Sequence, residues 1–310
     1  MPCATPGAGT ALHTCIVWGA WRGDFVTPEQ ALDTASGNRM ITWPYTKVMN
    51  AILAVDMAAA VIMTTVGEAR RLGIDPARWV YLRGGAEAND IWNVSERPVL
   101  HQSPALAACA GAALEMAGLS LEALDRFDLY SCFPSAVQVA CDAIGLAVDD
   151  PRGVTVTGGL TLFGGPGNNY SLHAIAEMVA QLQADKGRHG MVTANGNYLT
   201  KHAVGIYSRD AGTSPWPLAR PELQTTLDAA PRLQVDAAAS GAGSIDACAV
   251  AFDKEGPSRG IVLGRMGDGR RFIANTPKGD VATLERLLAS DPVGEQGRVT
   301  PGDKVNRFEF

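Results

Sequence analysis

Between Ser103 and Ser208, short apolar runs of strand character alternate with longer segments whose apolar residues recur at helical spacing. Alternation of this kind folds into α/β layers, because each strand and each helix has one apolar face to bury against the other. Ser103-Pro104 supplies a cap and a first-turn proline for a helix whose buried face carries Leu106, Cys109, Ala110, Ala113, Leu114 and Ala117. DRFDLYSCF predicts a short strand running into a turn, with Val137, Ala140, Cys141 and Ile144 as the stripe of the helix behind it. The pattern repeats with VTVTGG as a strand and LTLFGGPGNN as a glycine-rich loop. A helix striped by Leu172, Ile175, Ala176, Val179 and Leu182 follows. GMVTANGNYLTKHAVGIYSR predicts two strands around a turn at Asn195-Gly196.

Upstream, Val48 to Val55 has a helical pattern, Met57 to Thr65 is an apolar run, and GEARRLGID predicts a helical turn that stops at Gly73. WVYLRGG predicts a strand entering a loop. Residues 1–40 read as an irregular lead-in, 41–210 as the α/β domain, and 211–240, with four prolines, as a linker. In 241–310 the apolar runs IDACAVAF, GIVLGRM and RFIANTP are separated by the turn sequences KEGPSR and GDGR. The helix VATLERLLAS comes next, so a small β-rich domain is expected.

A chain of 310 residues with 46% hydrophobic and 19% charged side chains is long enough for two such units. Its net charge of −6 provides no field to neutralise a polyphosphate, so nucleic acid is not an expected partner. Ala58 to Met63 and Ala105 to Ala113 are too short to span a bilayer, and no membrane segment is expected. Residues 1–20 lack the basic start of a secretory signal, which makes the cytoplasm the expected compartment. Cys3, Cys15, Cys109, Cys132, Cys141 and Cys248 have no CxxC spacing, arguing against a metal site or a disulfide framework.

Three segments carry chemistry, each at the end of an expected strand, where ligands of α/β sheets bind. They are Tyr130 to Phe133, Gly158 to Asn169, and Asn195 to Asn197 with Lys201-His202. Cys132 reads either as a nucleophile with His173 or His202 as base, or as a buried structural thiol. Tyr130 is either a proton donor or acceptor, or a packed ring. Gly164, Gly165 and Gly167 allow close backbone approach and can present N–H groups to an oxyanion. Their loop matches neither GxGxxG nor GxxxxGK[ST], so no nucleotide-phosphate cradle is expected. His202 is either a base beside Lys201 or half of a surface Lys-His pair, and Asn195 and Asn197 either hold a turn or donate to a substrate carbonyl.

Taken together, NRMITWPYTKVMNAILAVDMAAAVIMTTVGEARRLGID, DLYSCFPSA, VTVTGGLTLFGGPGNNYSLHAI and TANGNYLTKHAVGIYSR resemble the carboxyl-terminal half of an acetyl-CoA acetyltransferase of the thiolase superfamily, over about residues 38–210. The segment from GSIDACAVAF to NRFEF is similar to the additional carboxyl-terminal domain of type-1 thiolase-like proteins, an OB-like β-barrel. The resemblance implies a layered α/β domain, with a mixed sheet flanked by helices, followed by that small barrel. Members of the family load an acyl group on a cysteine of the amino-terminal half. Neither Cys3 nor Cys15 lies in a segment like the nucleophile's.

The family's Asn-Glu-Ala-Phe or His-Asp-Cys-Phe block falls on Tyr130 to Phe133, placing Tyr130 at an oxyanion-hole position. Its Gly-His-Pro block falls on Gly164 to Pro166, so Gly165 replaces the activating histidine, and its Cys-x-Gly block puts Ala194 where the acid/base cysteine stands. The implied function is acyl transfer on coenzyme A thioesters with altered or partner-dependent chemistry. The alternatives are a non-catalytic acyl-CoA-binding subunit and a carbon–carbon lyase on the same scaffold. Tyr130, Tyr198 and His202 are the expected catalytic groups; Cys132, Phe133, Gly164, Gly165, Asn168, Asn195 and Gly196 are the expected substrate contacts. No metal or cofactor is expected beyond the thioester substrate. The expected partner is a second copy or a chain that supplies the missing half.

Overall fold

A computed structural model describes residues 20–23, 26–35, 37–212, 221–289 and 291–310. Cys3 and Cys15 lie outside the described residues, as does part of the expected 211–240 linker. In chain order the elements are α1 (Pro28–Leu32), β1 (Met40–Trp43), β2 (Tyr45–Thr46), α2 (Val66–Arg71) and β3 (Tyr81–Asn89). Then come α3 (Pro104–Ala117), β4 (Arg126–Asp128), α4 (Pro134–Ile144), α5 (Tyr170–Gln183), β5 (His189–Gly196), β6 (Lys201–Ser208) and α6 (Pro221–Asp228). The rest is β7 (Gly241–Phe252), β8 (Pro257–Met266), β9 (Arg271–Asn275), α7 (Val281–Ala289), β10 (Gln296–Thr300) and β11 (Asn306–Glu309). The chain forms two compact units: residues 1–31, 49–90 and 101–229, and residues 32–48, 91–100 and 230–310.

The first unit is built on a mixed sheet of order β3-β6-β5-β4, antiparallel except for the β4–β5 pair. One face is covered by α3 and α4, where Leu106, Cys109, Ala113, Val137 and Cys141 pack on Met191, Val204 and Ile206. The other face is covered by α5, whose Tyr170, Ala174, Met178 and Leu182 pack on Val192. The layered α/β architecture is thus present. Ser103 caps α3 as its sequence predicts, its Oγ accepting from the Leu106 N–H at 3.2 Å, and Gly118 ends the helix with a left-handed φ of 65°. The small residues of α3 let it lie directly on β3: a Cβ at Gly84 would stand 2.0 Å from the Ala113 carbonyl oxygen.

Several local expectations are corrected. Val48 to Val55 is not a helix. A short 3₁₀ turn at Lys47–Met49 leads into irregular chain, because Ile52 pairs with the glycine loop instead: its N–H donates to the Leu160 carbonyl and its carbonyl accepts from the Gly165 N–H. VTVTGG is not a strand either, for a reason that belongs to the site below. The buried row of α5 is the 170, 174, 178, 182 series, so of the predicted stripe only Leu182 is fully buried. β5 and β6 stay paired through Gly196 and Lys201, which moves the hairpin turn beyond Asn195-Gly196 to residues 197–200. β3 runs through its glycines to Asn89 rather than breaking into a loop.

In the second unit β7, β8, β9, β11 and β10 close into a five-stranded barrel, β10 pairing back onto β7. The β9–β11 contact is parallel, and α7 connects β9 to β10. Ile245, Val250, Val262, Phe272, Leu287, Val299 and Phe308 fill its core. Arg271 is 1% exposed and held inside this unit by Asp246 Oδ2 at 2.8 Å and the Arg97 carbonyl at 2.7 Å. Among the described residues, no helix is long and apolar enough to cross a membrane.

Candidate functional site

The carboxylate of Asp128, at the end of β4, is fully buried. Its Oδ2 accepts from the Thr155 hydroxyl at 2.9 Å, the Val156 N–H at 3.0 Å, and the N–H and hydroxyl of Thr157, both at 3.2 Å; its Oδ1 accepts from the Tyr170 hydroxyl at 3.0 Å. These bonds wrap residues 154–159 around the carboxylate, so VTVTGG spends its donors on a side chain rather than on a neighbouring strand. Burial pushes the Asp128 carboxyl up to about 6, against the pull of the hydrogen bonds it accepts. Asp128 and Tyr170 were not singled out by sequence reasoning. The available signal was an aspartate inside the apolar run RFDLY, which marks a buried carboxylate with dedicated donors.

Two residues beyond Asp128, the chain leaves β4 and delivers Tyr130, Cys132 and Phe133 to the start of α4. The Tyr130 N–H donates to Thr193 Oγ1 of β5 at 2.9 Å. The Tyr130 ring meets Tyr170 edge to face at 5.4 Å, and Phe163 continues that chain of edge contacts to Tyr170 at 6.1 Å and His173 at 5.2 Å. Among the described residues, the half-buried Tyr130 hydroxyl has no hydrogen-bond partner. Burial holds it above the ordinary tyrosine range, and the nearby Cys132 adds to the effect. The Cys132 thiol is pushed up to about 11, chiefly by burial, so it is a neutral thiol near pH 7.

Asn195 and Tyr198 complete this neighbourhood. The Asn195 amide Nδ2 donates to Cys132 Sγ at 3.8 Å, while its Oδ1 accepts from the Leu199 N–H at 2.8 Å. One side chain therefore folds the turn, as one of the two sequence alternatives had it, and also contacts the thiol. Asn197, Tyr198 and Leu199 all have positive φ. That conformation is disfavoured for residues with a Cβ, so the loop is held by its surroundings. Tyr198 stacks edge to face on Phe133 at 5.6 Å, and its hydroxyl lies 2.6 Å from Ser135 Oγ.

The glycine loop joins the same apolar cluster but is covered by this chain's own residues. A Cβ at Gly164, where φ is 123°, would meet Met57 Sδ at 2.7 Å; one at Gly165 would meet Ala51 Cβ at 3.3 Å and the Ile52 carbonyl at 3.4 Å. The Gly165 N–H already donates to that carbonyl at 2.8 Å, so it is not available to an oxyanion. Asn168 is exposed on the short 3₁₀ turn before α5, and Gly196 lies against the Lys201 side chain.

His202 is not part of a surface pair with Lys201. It is 4% exposed, lies opposite Asn195 across the β5–β6 ladder, and faces the start of α3. Its Nε2 is 3.1 Å from Ser103 Oγ and 3.4 Å from Asp90 Oδ2, and Asp90 Oδ1 accepts from the Ala105 N–H at 3.0 Å. Burial works to raise the Asp90 carboxyl, and the bonds from His202, Ser103 and Ala105 outweigh it, leaving it below the ordinary range. The Ser103–Asp90–His202 constellation is satisfied within itself and serves the helix start. Tyr130, Cys132, Phe133, Asn195 and Tyr198 are thus brought together, with a free hydroxyl, an amide and a neutral thiol. They can orient a polar ligand, and they contain no paired base that would make Cys132 a thiolate.

Residues 222–304 match the family model of the thiolase-like protein type 1 additional C-terminal domain. A 3-ketoacyl-CoA thiolase of Salmonella heidelberg (strain SL476) is 30% identical over 161 residues, which are 47% of this chain and 35% of that protein. The crystal structure of a monomeric SCP2-thiolase like protein type 1 from Mycobacterium smegmatis is similar with a TM-score of 0.85 and 41% identity, over 93% of this chain and 62% of that one. The chain therefore spans 35% of the length of the curated relative and 62% of the solved one.

Proposed function

We propose, because the chain belongs to the thiolase superfamily, that it binds a coenzyme A thioester beside Tyr130, Cys132, Asn195 and Tyr198 and orients it without activating a nucleophile of its own. The observation that carries this reading is the half-buried Tyr130 hydroxyl, which has no protein partner among the described residues and lies in the neighbourhood of Cys132 and Asn195. A donor in that position suits a thioester carbonyl. Cys132 is held as a neutral thiol, Gly165 and Ala194 carry no acid or base, and His202 is engaged with Ser103 and Asp90.

Acyl transfer in the manner suggested by the name of the Salmonella relative would then need a nucleophile from outside this group of residues. The strand order of the small barrel, first-second-third-fifth-fourth and back to first with a helix between third and fourth, supports an OB-like domain.

Calorimetric titration with acetyl-CoA, run beside an assay for free coenzyme A, tests the reading. Saturable binding without release of coenzyme A is expected. Release by this chain alone would overturn the non-nucleophilic reading, and absence of binding would overturn the site.

A further inference from the structure

Asp128 Oδ1, the Tyr170 hydroxyl, Thr157 Oγ1 and Asp128 Oδ2 close a ring of hydrogen bonds, with steps of 3.0, 2.6 and 3.2 Å. A hydroxyl both donates and accepts, so such a ring can run in either direction. With Asp128 ionised, both carboxylate oxygens accept and the Tyr170 hydrogen points to Oδ1. With Asp128 protonated on Oδ1, its own hydrogen points to the Tyr170 oxygen, the Tyr170 hydrogen turns to Thr157 Oγ1, and the Thr157 hydrogen goes on to Oδ2. Neither state leaves a buried donor without an acceptor, so the folded chain can take up this proton without losing a buried bond. Among the described residues, none of the hydrogen-bond partners of Asp128 is a cation. α5 presents Tyr170 to it, the 154–159 turn presents threonine hydroxyls, and β5 presents Val192, its partner in the ladder. His173, the next titratable group along α5, meets Phe163 instead, at 5.2 Å.

Tyr170 connects this ring to the site. Asp128 and Tyr130 stand two residues apart and both meet Tyr170, Asp128 at its hydroxyl and Tyr130 against its ring. The turn that wraps the carboxylate is tied to the same segment, because the Leu160 N–H donates to Ser131 Oγ at 3.1 Å. Thr155 Oγ1 and Thr157 Oγ1 in turn accept from the N–H groups of Gly158 and Gly159, each at 3.1 Å. Hydrogen bonds to an ionised acceptor are roughly twice as strong as neutral ones. The turn, the Tyr170 ring and the Tyr130 ring that leans on it are therefore held most firmly while Asp128 is charged. Burial places its titration at about 6, within reach of ordinary solution conditions.

We propose that Asp128 and Tyr170 are positioning residues for the Tyr130 hydroxyl, which holds a ligand carbonyl tightly while Asp128 is ionised and loosely once it is protonated. The effect on affinity rests on the reading of Tyr130 as donor to a thioester, whereas the coupling of Asp128 to the Tyr130 ring can be measured with no ligand present. Asp128→Asn is the informative variant. Its amide nitrogen donates to Tyr170 and its amide oxygen accepts from the turn, so it reproduces the protonated acid at every pH.

The test is NMR of the full chain with isotope-labelled tyrosine, whose six residues make assignment by substitution practical, followed by calorimetric titration with acetyl-CoA at pH 7.5 and pH 5. In the parent the Tyr130 ring signals should move between these values with a midpoint at about 6. In Asp128→Asn they should stay still, and in Tyr170→Phe they should move by less than a third as much. Tyr170→Phe keeps the carboxylate and the ring, so it decides the matter if Asp128→Asn does not fold. Acetyl-CoA affinity should fall about threefold to tenfold more in the parent than in Asp128→Asn, the most that one group titrating near 6 can give over this range. The phosphates of the ligand also titrate there, and the comparison cancels them. Tyr130 signals indifferent to pH, a shift that persists in full in both variants, or parallel loss of affinity in parent and Asp128→Asn would each overturn the proposal. A Tyr130 shift that follows Asp128 in a chain that binds no acetyl-CoA at pH 7.5 would uphold the positioning role and overturn the thioester reading instead.

Discussion

The Tyr170 hydroxyl donates to Asp128 Oδ1 at 3.0 Å, tying the first turn of α5 to the end of the strand that delivers Tyr130. Because the folded Asp128 carboxyl is raised to about 6, above its ordinary value, the folded chain holds the proton more tightly than the unfolded chain. This group's contribution to stability is therefore fully present below the unfolded value of about 4 and is lost as pH rises through about 6, at no more than ~1.4 kcal/mol per pH unit.

Tyr170→Phe separates the two protonation states. The bond runs to a carboxylate at pH 7.5 and to a neutral acid at pH 4, so its loss should cost about 1.5–3 kcal/mol at the higher pH and about 0.5–1.5 kcal/mol at the lower. Urea unfolding at both values measures the difference. Equal cost at the two pH values would show that Asp128 does not titrate between them.

Ser103→Ala removes the α3 cap and the hydroxyl shared by Asp90 and His202. About 1–2 kcal/mol of stability should go with it. His202→Ala should also act on stability, lowering the urea midpoint while acetyl-CoA affinity stays within about threefold, a change of ~0.65 kcal/mol. A variant of unchanged stability and much weaker binding would make His202 a ligand contact, a role the sequence did not give it.

The layers of the fold were legible because α3, α4, β5 and β6 carry their own signals: a capping serine, apolar stripes and strand-like runs. What could not be read was where long-range bonds overrule local pattern. Thr155 and Thr157 look like strand residues until the Asp128 carboxylate claims them. Val48 to Val55 looks helical until Ile52 pairs with Leu160 and Gly165. Of the segments the sequence singled out, the structure makes those of Tyr130, Cys132, Asn195 and Tyr198 neighbours, or gives them shared neighbours. For His202 the sequence offered a base or a surface pair with Lys201 and missed the buried contacts to Ser103 and Asp90, because partners 99 residues apart, Ser103 and His202, leave no mark in local spacing.

Gly165→His restores the residue type that the family resemblance places there. Its Cβ would press on Ala51, on Leu160 and on the Ile52 carbonyl, all at 3.3–3.4 Å, so the 51–52 strap must shift to admit the ring. Overpacking of this kind should lower stability by about 1–3 kcal/mol. Coenzyme A release from acetyl-CoA should remain at background, since Ala194 and a neutral Cys132 still provide no nucleophile. Measurable release by this variant would mean that the histidine alone had been lacking.

Tyr130→Phe is the most direct probe of the site because the hydroxyl bonds to nothing in the protein among the described residues. Stability should stay within about 0.5 kcal/mol of the parent, since the ring and its edge contact with Tyr170 are kept. Acetyl-CoA affinity should fall by about threefold to tenfold, the effect of one net hydrogen bond of ~0.5–1.5 kcal/mol. Calorimetry and urea unfolding on the same preparation separate the two effects. Unaltered affinity would reject Tyr130 as the donor to the thioester and shift the search to the Asn195 amide and the Tyr198 hydroxyl, the remaining polar groups of that neighbourhood.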